Sequence, residues 1–173
     1  MNDALLLQTQ EDGIVTLTLN RPQHYNALSS ALLQTLQDRL EQVADDASAR
    51  VLILAASGRA FCAGHDLHEI DELAPHTNAS ENLFRQCSRV MLTLTRMPQP
   101  VIAQVQGVAT AAGCQLVAAC DLAVASENAR FAVSGVNLGL FCSTPAVALS
   151  RNLGRKRAMQ MLLSGEFIDA PTA

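Results

Sequence analysis

No CxxC pair, no GxxxxGK, no GxGxxG and no GxSxG occurs in the 173 residues. Zinc ribbons, nucleotide-phosphate loops, dinucleotide folds and serine-hydrolase elbows therefore have no sequence support. Charged residues are scarce at 16%, whereas hydrophobic residues reach 49%, a balance that argues against disorder and for one domain with a sizeable core. The 12 basic residues do not outnumber the 16 acidic ones, and only Arg155, Lys156 and Arg157 stand together, so no nucleic-acid partner is expected. That trio reads as a solvated helix terminus. The apolar stretches are too short or too interrupted to span a bilayer, and no membrane association is expected. The N-terminus MNDALLLQTQEDG is acidic and lacks a long apolar run, so it reads as neither a signal nor a transit peptide.

The cysteines (Cys62, Cys87, Cys114, Cys120 and Cys142) are odd in number and mostly set among small or apolar residues. They read as reduced, buried thiols, and with the N-terminus they give a cytoplasmic location as the expectation.

Two apolar runs, Leu5–Gln10 and Ile14–Asn20, flank Glu11-Asp12-Gly13 and predict a hairpin. Leu32, Leu33, Leu36, Leu40 and Val43 recur at helical spacing and predict a helix over Ser30–Ala44, capped by Ser29 or Ser30. Val51–Ala55 is uniformly apolar and reads as a buried strand. Ser57–Ala63 reads as a loop, with a helix beginning near Gly64. A looser stretch around Pro75-His76-Thr77-Asn78 precedes a helix over 80–97, its inward face formed by Leu83, Cys87, Val90, Met91 and Leu94. Val101–Val105 predicts a strand, Gly107–Gly113 a turn, Cys114–Cys120 a short helix and Leu122–Ser126 another strand. Helices are expected over Pro145–Asn152 and Arg155–Ser164, with Gly165 as C-cap. Phe167–Ala173 reads as the first turn of a further helix, with Asp169 as N-cap and Pro171 in that turn. Strands alternating with helices imply an α/β domain of parallel crossover units.

Two small-residue turns carry the chemical interest: AFCAGHDL at 60–67, and the TAAG run inside PVIAQVQGVATAAGCQLVAACDLAVAS at 100–126. Each enters a helix after a short apolar strand. Two backbone N–H groups aimed from such turns at one point would make an oxyanion hole.

With NRPQHYNAL (20–28), RFAVSGVNLGL (130–140) and MQMLLSGEFIDA (159–170), these blocks keep an order that resembles the enoyl-CoA hydratase/isomerase, or crotonase, superfamily over nearly the whole chain. The run GVATAAGCQLVAACD followed by GVNLGLFCSTP is similar to the enoyl-CoA hydratase domain-containing protein 3 subgroup. The resemblance implies a crotonase-like spiral core of ββα units spanning 1–173, with the family's C-terminal helical trimerisation region missing. It implies an acyl-CoA thioester as partner, with coenzyme A part of the substrate and no separate cofactor. A homotrimer or hexamer is implied for a full-length form. His65 and Ala112 fall on the two oxyanion-donor positions, where only the backbone N–H is needed. The backbone around Ala63, Asp66, Leu67 and His68 falls where the adenine and pantetheine portions would lie. Asp66 also suits the first turn of a helix, where the macrodipole favours a carboxylate. His65 and His68 are spaced like a metal pair but lack a third ligand, so no metal is expected.

The chain departs from the family where hydratases carry two glutamates that hold and activate water. Gln115 stands at the first position, an amide that hydrogen-bonds water but exchanges no proton near neutral pH. Gly135 stands at the second, and no carboxylate occurs from Phe131 through Leu149. Ser134, Asn137, Cys142 and Ser143 are the polar residues within reach of that region. Three readings stay open: a hydratase-, isomerase- or lyase-type enzyme of fatty acid metabolism, a catalytically degenerate acyl-CoA-binding or regulatory protein, and an interacting subunit without turnover.

Overall fold

A computed structural model of the chain describes residues 4–73 and 77–173. The hairpin forms from β1 (Leu6–Glu11) and β2 (Ile14–Leu19), paired antiparallel across Asp12-Gly13. Val15, Leu17 and Leu19 are fully buried and Thr16 and Thr18 half-buried, the two-residue period of a strand with one face on the core. In α1 (Ser30–Asp45) the Ser29 hydroxyl accepts the Leu32 N–H at 3.3 Å, satisfying one of the donors a helix start leaves free. All five of its predicted inward residues are buried.

From there the chain repeats one unit, two short strands followed by helix. β3 (Val51–Ala56) and β4 (Ala60–Cys62) lead to α2 (Leu67–Leu73) and α3 (Thr77–Leu94). β5 (Val101–Val105) and β6 (Val108–Thr110) lead to α4 (Ala112–Ala119). β7 (Leu122–Ala125) and β8 (Arg130–Ala132) lead to a 3-10 turn at Ser134–Leu138, then α5 (Ser143–Asn152) and α6 (Arg155–Ser164). The first strand of each unit joins one sheet, ordered β1-β2-β3-β5-β7. The second joins another, ordered β4-β6-β8-β9, with β9 at Ile168–Asp169. Strands of successive units run parallel, as they must when a helix returns the chain before the next strand begins. This is the α/β spiral of ββα units. Leu83, Cys87, Val90, Met91 and Leu94 of α3 pack into the same core as α1 and the larger sheet.

Several readings change. β4 and β6 lie inside segments read as loop and turn, because three residues are too few to show a period. β3 is not uniformly buried: Leu52 and Leu54 face the core, while Val51, Ile53 and Ala55 are half-buried. α2 begins at Leu67 rather than near Gly64, because Asp66 caps it. Phe167–Ala173 does not open a helix; β9 pairs antiparallel with β8, Ile168 opposite Phe131, so sheet pairing claims the backbone groups. Asp169 nonetheless accepts the Thr172 N–H at 3.0 Å, the capping bond expected of it. Pro75 and His76 of the looser stretch lie outside the described residues.

Candidate functional site

β4 and β6 are parallel neighbours, so their C-terminal ends lie side by side and both release the chain into a turn. The two turns touch. A Cβ added to Gly64, whose φ is +96°, would stand 2.9 Å from Ala111 Cβ and 3.3 Å from the Ala112 nitrogen. A Cβ on Gly113 would meet the Cys62 carbonyl oxygen at 2.1 Å, so the start of α4 rests directly on the end of β4. Ala111 makes the sharp entry to α4 at φ 50°, ψ −122°, a conformation that glycine adopts freely and alanine does not. Strain of this kind costs of order 1–3 kcal/mol and persists only where the surroundings impose it.

That entry leaves a donor free. Ala111 N–H donates to the Ala132 carbonyl at 3.0 Å, and Gln115 N–H donates to the Ala111 carbonyl at 3.1 Å. The Ala112 N–H, first in α4, has no partner among the described residues. On the facing turn, Leu28 N–H donates to the Gly64 carbonyl at 2.8 Å and Asp66 N–H to the Leu28 carbonyl at 3.1 Å. This parallel bridge directs the intervening His65 N–H away from Leu28, and it too has no partner among the described residues.

A polar clamp that the sequence did not disclose holds the first turn. Arg21 donates to the Asp66 carboxylate at 3.1 Å and to the Ala27 carbonyl at 2.7 Å. Asn26, fully buried at φ +53°, accepts the Arg21 N–H and donates to the Ser57 and Ala60 carbonyls. Asp66 in turn accepts the His68 N–H at 3.2 Å as the cap of α2. Partial burial works against ionisation of Asp66, but the hydrogen bond and charge of Arg21, with the backbone donors, outweigh it and hold its carboxyl below the usual range. The only advance signal was NRPQHYNAL itself, in which no periodicity shows that an arginine and an aspartate 45 residues apart will meet.

The remaining predicted residues divide. The His65 side chain turns inward and meets Phe84 edge to face, ring centroids 4.8 Å apart, with Nε2 buried and unpartnered among the described residues. Desolvation, opposed weakly by Glu69, pushes its pKa down to about 4, so the imidazole is neutral near pH 7. Gln115, 5% exposed, sits one turn into α4 with a buried carbonyl oxygen that also has no partner among the described residues. Gly135 follows β8 at the same end of the smaller sheet, where Ser134 Oγ lies 3.0 Å from Thr110 Oγ1. The space beside it is occupied: an added Cβ would stand 2.6 Å from Cys142 Sγ and 2.8 Å from the Leu140 carbonyl. Ala63 is half-buried, its N–H donating to the Tyr25 carbonyl at 3.0 Å, whereas Leu67 and His68 are exposed on α2. The Asp66 carboxylate is committed to Arg21 and to its cap. A separate groove of about 550 Å³, lined by Val117, Leu122, Phe131, Leu149 and Met161 among others, lies elsewhere. Its α4 residues are Cys114, Val117 and Ala118, which at 100° per residue lie about 120–160° around the helix from Ala112, with Ala118 about 60° from Gln115.

A family model described as enoyl-CoA hydratase/isomerase matches residues 9–173. The chain belongs to the enoyl-CoA hydratase/isomerase family. Human enoyl-CoA hydratase domain-containing protein 3, mitochondrial, is 49% identical over 164 residues, which is 95% of this chain and 54% of that protein. The zebrafish protein of the same name is 48% identical over 99% of this chain and 59% of its own length, so the chain spans little more than half of these relatives. The 2,3-dehydroadipyl-CoA hydratase of Escherichia coli K12 is 38% identical over 97% of the chain and 65% of the hydratase. Among solved structures, an enoyl-CoA hydratase from Mycobacterium smegmatis superposes with a TM-score of 0.95 at 60% identity, covering 99% of this chain and 66% of that one. The human domain-containing protein 3 superposes at 0.93 and 47% identity, covering 97% and 66%. Family membership and fold thus agree with the resemblance carried by the five sequence blocks.

Proposed function

We propose that the chain binds an acyl-CoA thioester with its carbonyl oxygen between the N–H groups of His65 and Ala112. The observation that carries this reading is the pair of unpartnered donors on two touching turns, one entered through the strained Ala111. Donors fixed in this way stabilise the enolate that forms when a proton or nucleophile moves at the carbons next to a thioester, by about 3–4 kcal/mol per donor in comparable sites. The relatives' names, which include hydratases of CoA thioesters, support the substrate class. Ala63 and the backbone of Asp66, Leu67 and His68 continue from the His65 turn and would face the rest of the CoA. Assembly into trimers or paired trimers belongs to the same reading for a full-length form.

Within this reading, hydration by a glutamate pair is not the reaction. Gln115 holds neither an acid nor a base, and at Gly135 the Cys142 thiol and Leu140 carbonyl stand where a side chain would begin. The site binds and polarises a thioester without the groups that move water onto it. The test is a pair of measurements on one preparation: calorimetric binding of crotonyl-CoA and its hydration followed by loss of enoyl absorbance. Saturable binding with hydration near the uncatalysed rate is expected. Rapid hydration would overturn the degenerate reading, and absence of binding would overturn the acyl-CoA site itself.

A further inference from the structure

Of the five cysteines, four are buried and Cys142 is half-buried, and the acyl-CoA reading gives its thiol no work. Its Sγ stands 2.6 Å from where a Cβ at Gly135 would be, so a thiol occupies the start of the second glutamate position. That position is tied to the second donor turn. Thr110 pairs with Ala132 across β6 and β8, and Ser134 Oγ lies 3.0 Å from Thr110 Oγ1, one residue before the Ala111–Ala112 entry. A second, independent feature marks this place for a ligand. Gln115 is 5% exposed, lies three residues after Ala112 on α4, and is hydrogen-bonded at neither end of its amide among the described residues. Gln37, Gln99 and Gln106 also carry an unpartnered oxygen, but each donates through Nε2 to a neighbour. Helical side chains lean toward the N-terminus, so the Gln115 amide lies over the turn that presents the Ala112 N–H. A buried amide bonded at neither end calls for a partner from outside the chain.

We propose that Cys142 captures 2-enoyl-CoA thioesters by conjugate addition, holding the whole thioester covalently through the third acyl carbon. This rests on the acyl-CoA reading above and deepens it. With the carbonyl oxygen held by the His65 and Ala112 N–H groups, the conjugated double bond is polarised and its far carbon becomes electrophilic. The Cys142 sulfur attacks as thiolate and forms an S–C bond to that carbon. The π pair of the double bond shifts toward the carbonyl, and the charge falls on the oxygen that the two donors hold. The second carbon then takes a proton from water, replacing the one the thiol gave up. The sum is thiol plus alkene to thioether, with no oxidant, no reductant and no leaving group, and coenzyme A stays attached. The reaction stops at one thioester per chain, which separates it from hydration.

Intact-protein mass spectrometry of the chain incubated with crotonyl-CoA tests this, with butyryl-CoA, which has no double bond, as the control. One increment equal to the whole of crotonyl-CoA should appear, map to Cys142 by peptide analysis, and be absent with butyryl-CoA. Stabilisation of the enolate by the two donors predicts addition at least about a hundredfold faster than to N-acetylcysteine at equal thiol concentration. Saturating butyryl-CoA should slow the addition by occupying the site, a readout that needs no variant, and Cys142→Ser should abolish it. No adduct on a chain that binds butyryl-CoA in calorimetry would overturn the inference and leave the acyl-CoA site standing. So would an adduct on another residue, or a rate no faster than that of N-acetylcysteine. An increment of the acyl group alone, with coenzyme A released, would overturn it in favour of acyl transfer. Failure of both thioesters to bind would overturn the site itself, and the inference with it.

Discussion

Gly113 sits where no side chain fits, since its Cβ would fall 2.1 Å from the Cys62 carbonyl oxygen. Gly113→Ala should therefore push α4 away from β4 and cost about 3 kcal/mol, the upper end for overpacking, read as a lowered urea midpoint. An unchanged midpoint would mean that the two turns are not in the contact described. His65 makes a pH prediction. Its folded pKa of about 4 lies below the usual 6.5, so the unfolded chain binds the extra proton first as pH falls. Stability should be intact above pH 6.5 and decline toward pH 4, by at most about 1.4 kcal/mol per unit. The Asp66 carboxyl, lowered below 3.8, gives up its contribution only in more acidic solution, so the two effects separate. His65→Leu should flatten the profile between pH 6.5 and 4 and leave the acid limb; an unaltered slope would show that the cost of charging His65 is not there. Gln115→Glu alone should restore little crotonyl-CoA hydration, because Gly135 supplies no partner and its neighbourhood is filled.

At the scale of elements, the β4–α2 turn depends on Arg21 and Asp66, whose side chains are each 14% exposed. Arg21→Ala leaves the Asp66 carboxylate with only its backbone partners. It should cost about 2–3 kcal/mol, as loss of a charged hydrogen bond does. Amide exchange at Asp66, whose N–H donates to the Leu28 carbonyl, should quicken with it, while exchange in α1 stays unchanged if the clamp acts locally. The long periodic elements were legible: the inward faces of α1 and α3 and the alternation of β2 each follow from one stretch of chain. β4, β6 and the clamp were not, because three-residue strands and a contact 45 residues apart leave no local pattern. At the site, the small-residue turns and the resemblance pointed to His65, Ala112, Gln115 and Gly135. The strain at Ala111 was hidden, since alanine gives no warning of a positive φ. So was the filled space beside Gly135, where only coordinates place Cys142.

For the whole molecule, apolar side chains stand exposed on β7 (Leu122, Val124), α5 (Val147), α6 (Met159, Leu163) and at Phe167. An uncovered apolar face of this kind is a contact surface, and the 1–173 chain should associate with rising concentration in light scattering. A monodisperse monomer across the range would contradict this. The central claim, that His65 and Ala112 together hold one thioester oxygen, is tested most directly by amide NMR. The chain labelled with nitrogen-15 would be titrated with butyryl-CoA and, in parallel, with S-butyl-CoA, a thioether that keeps the chain and the nucleotide but has no carbonyl. Both amide protons should move downfield with the thioester and stay near their free positions with the thioether. Equal shifts with the two ligands, or movement of only one amide, would contradict the account.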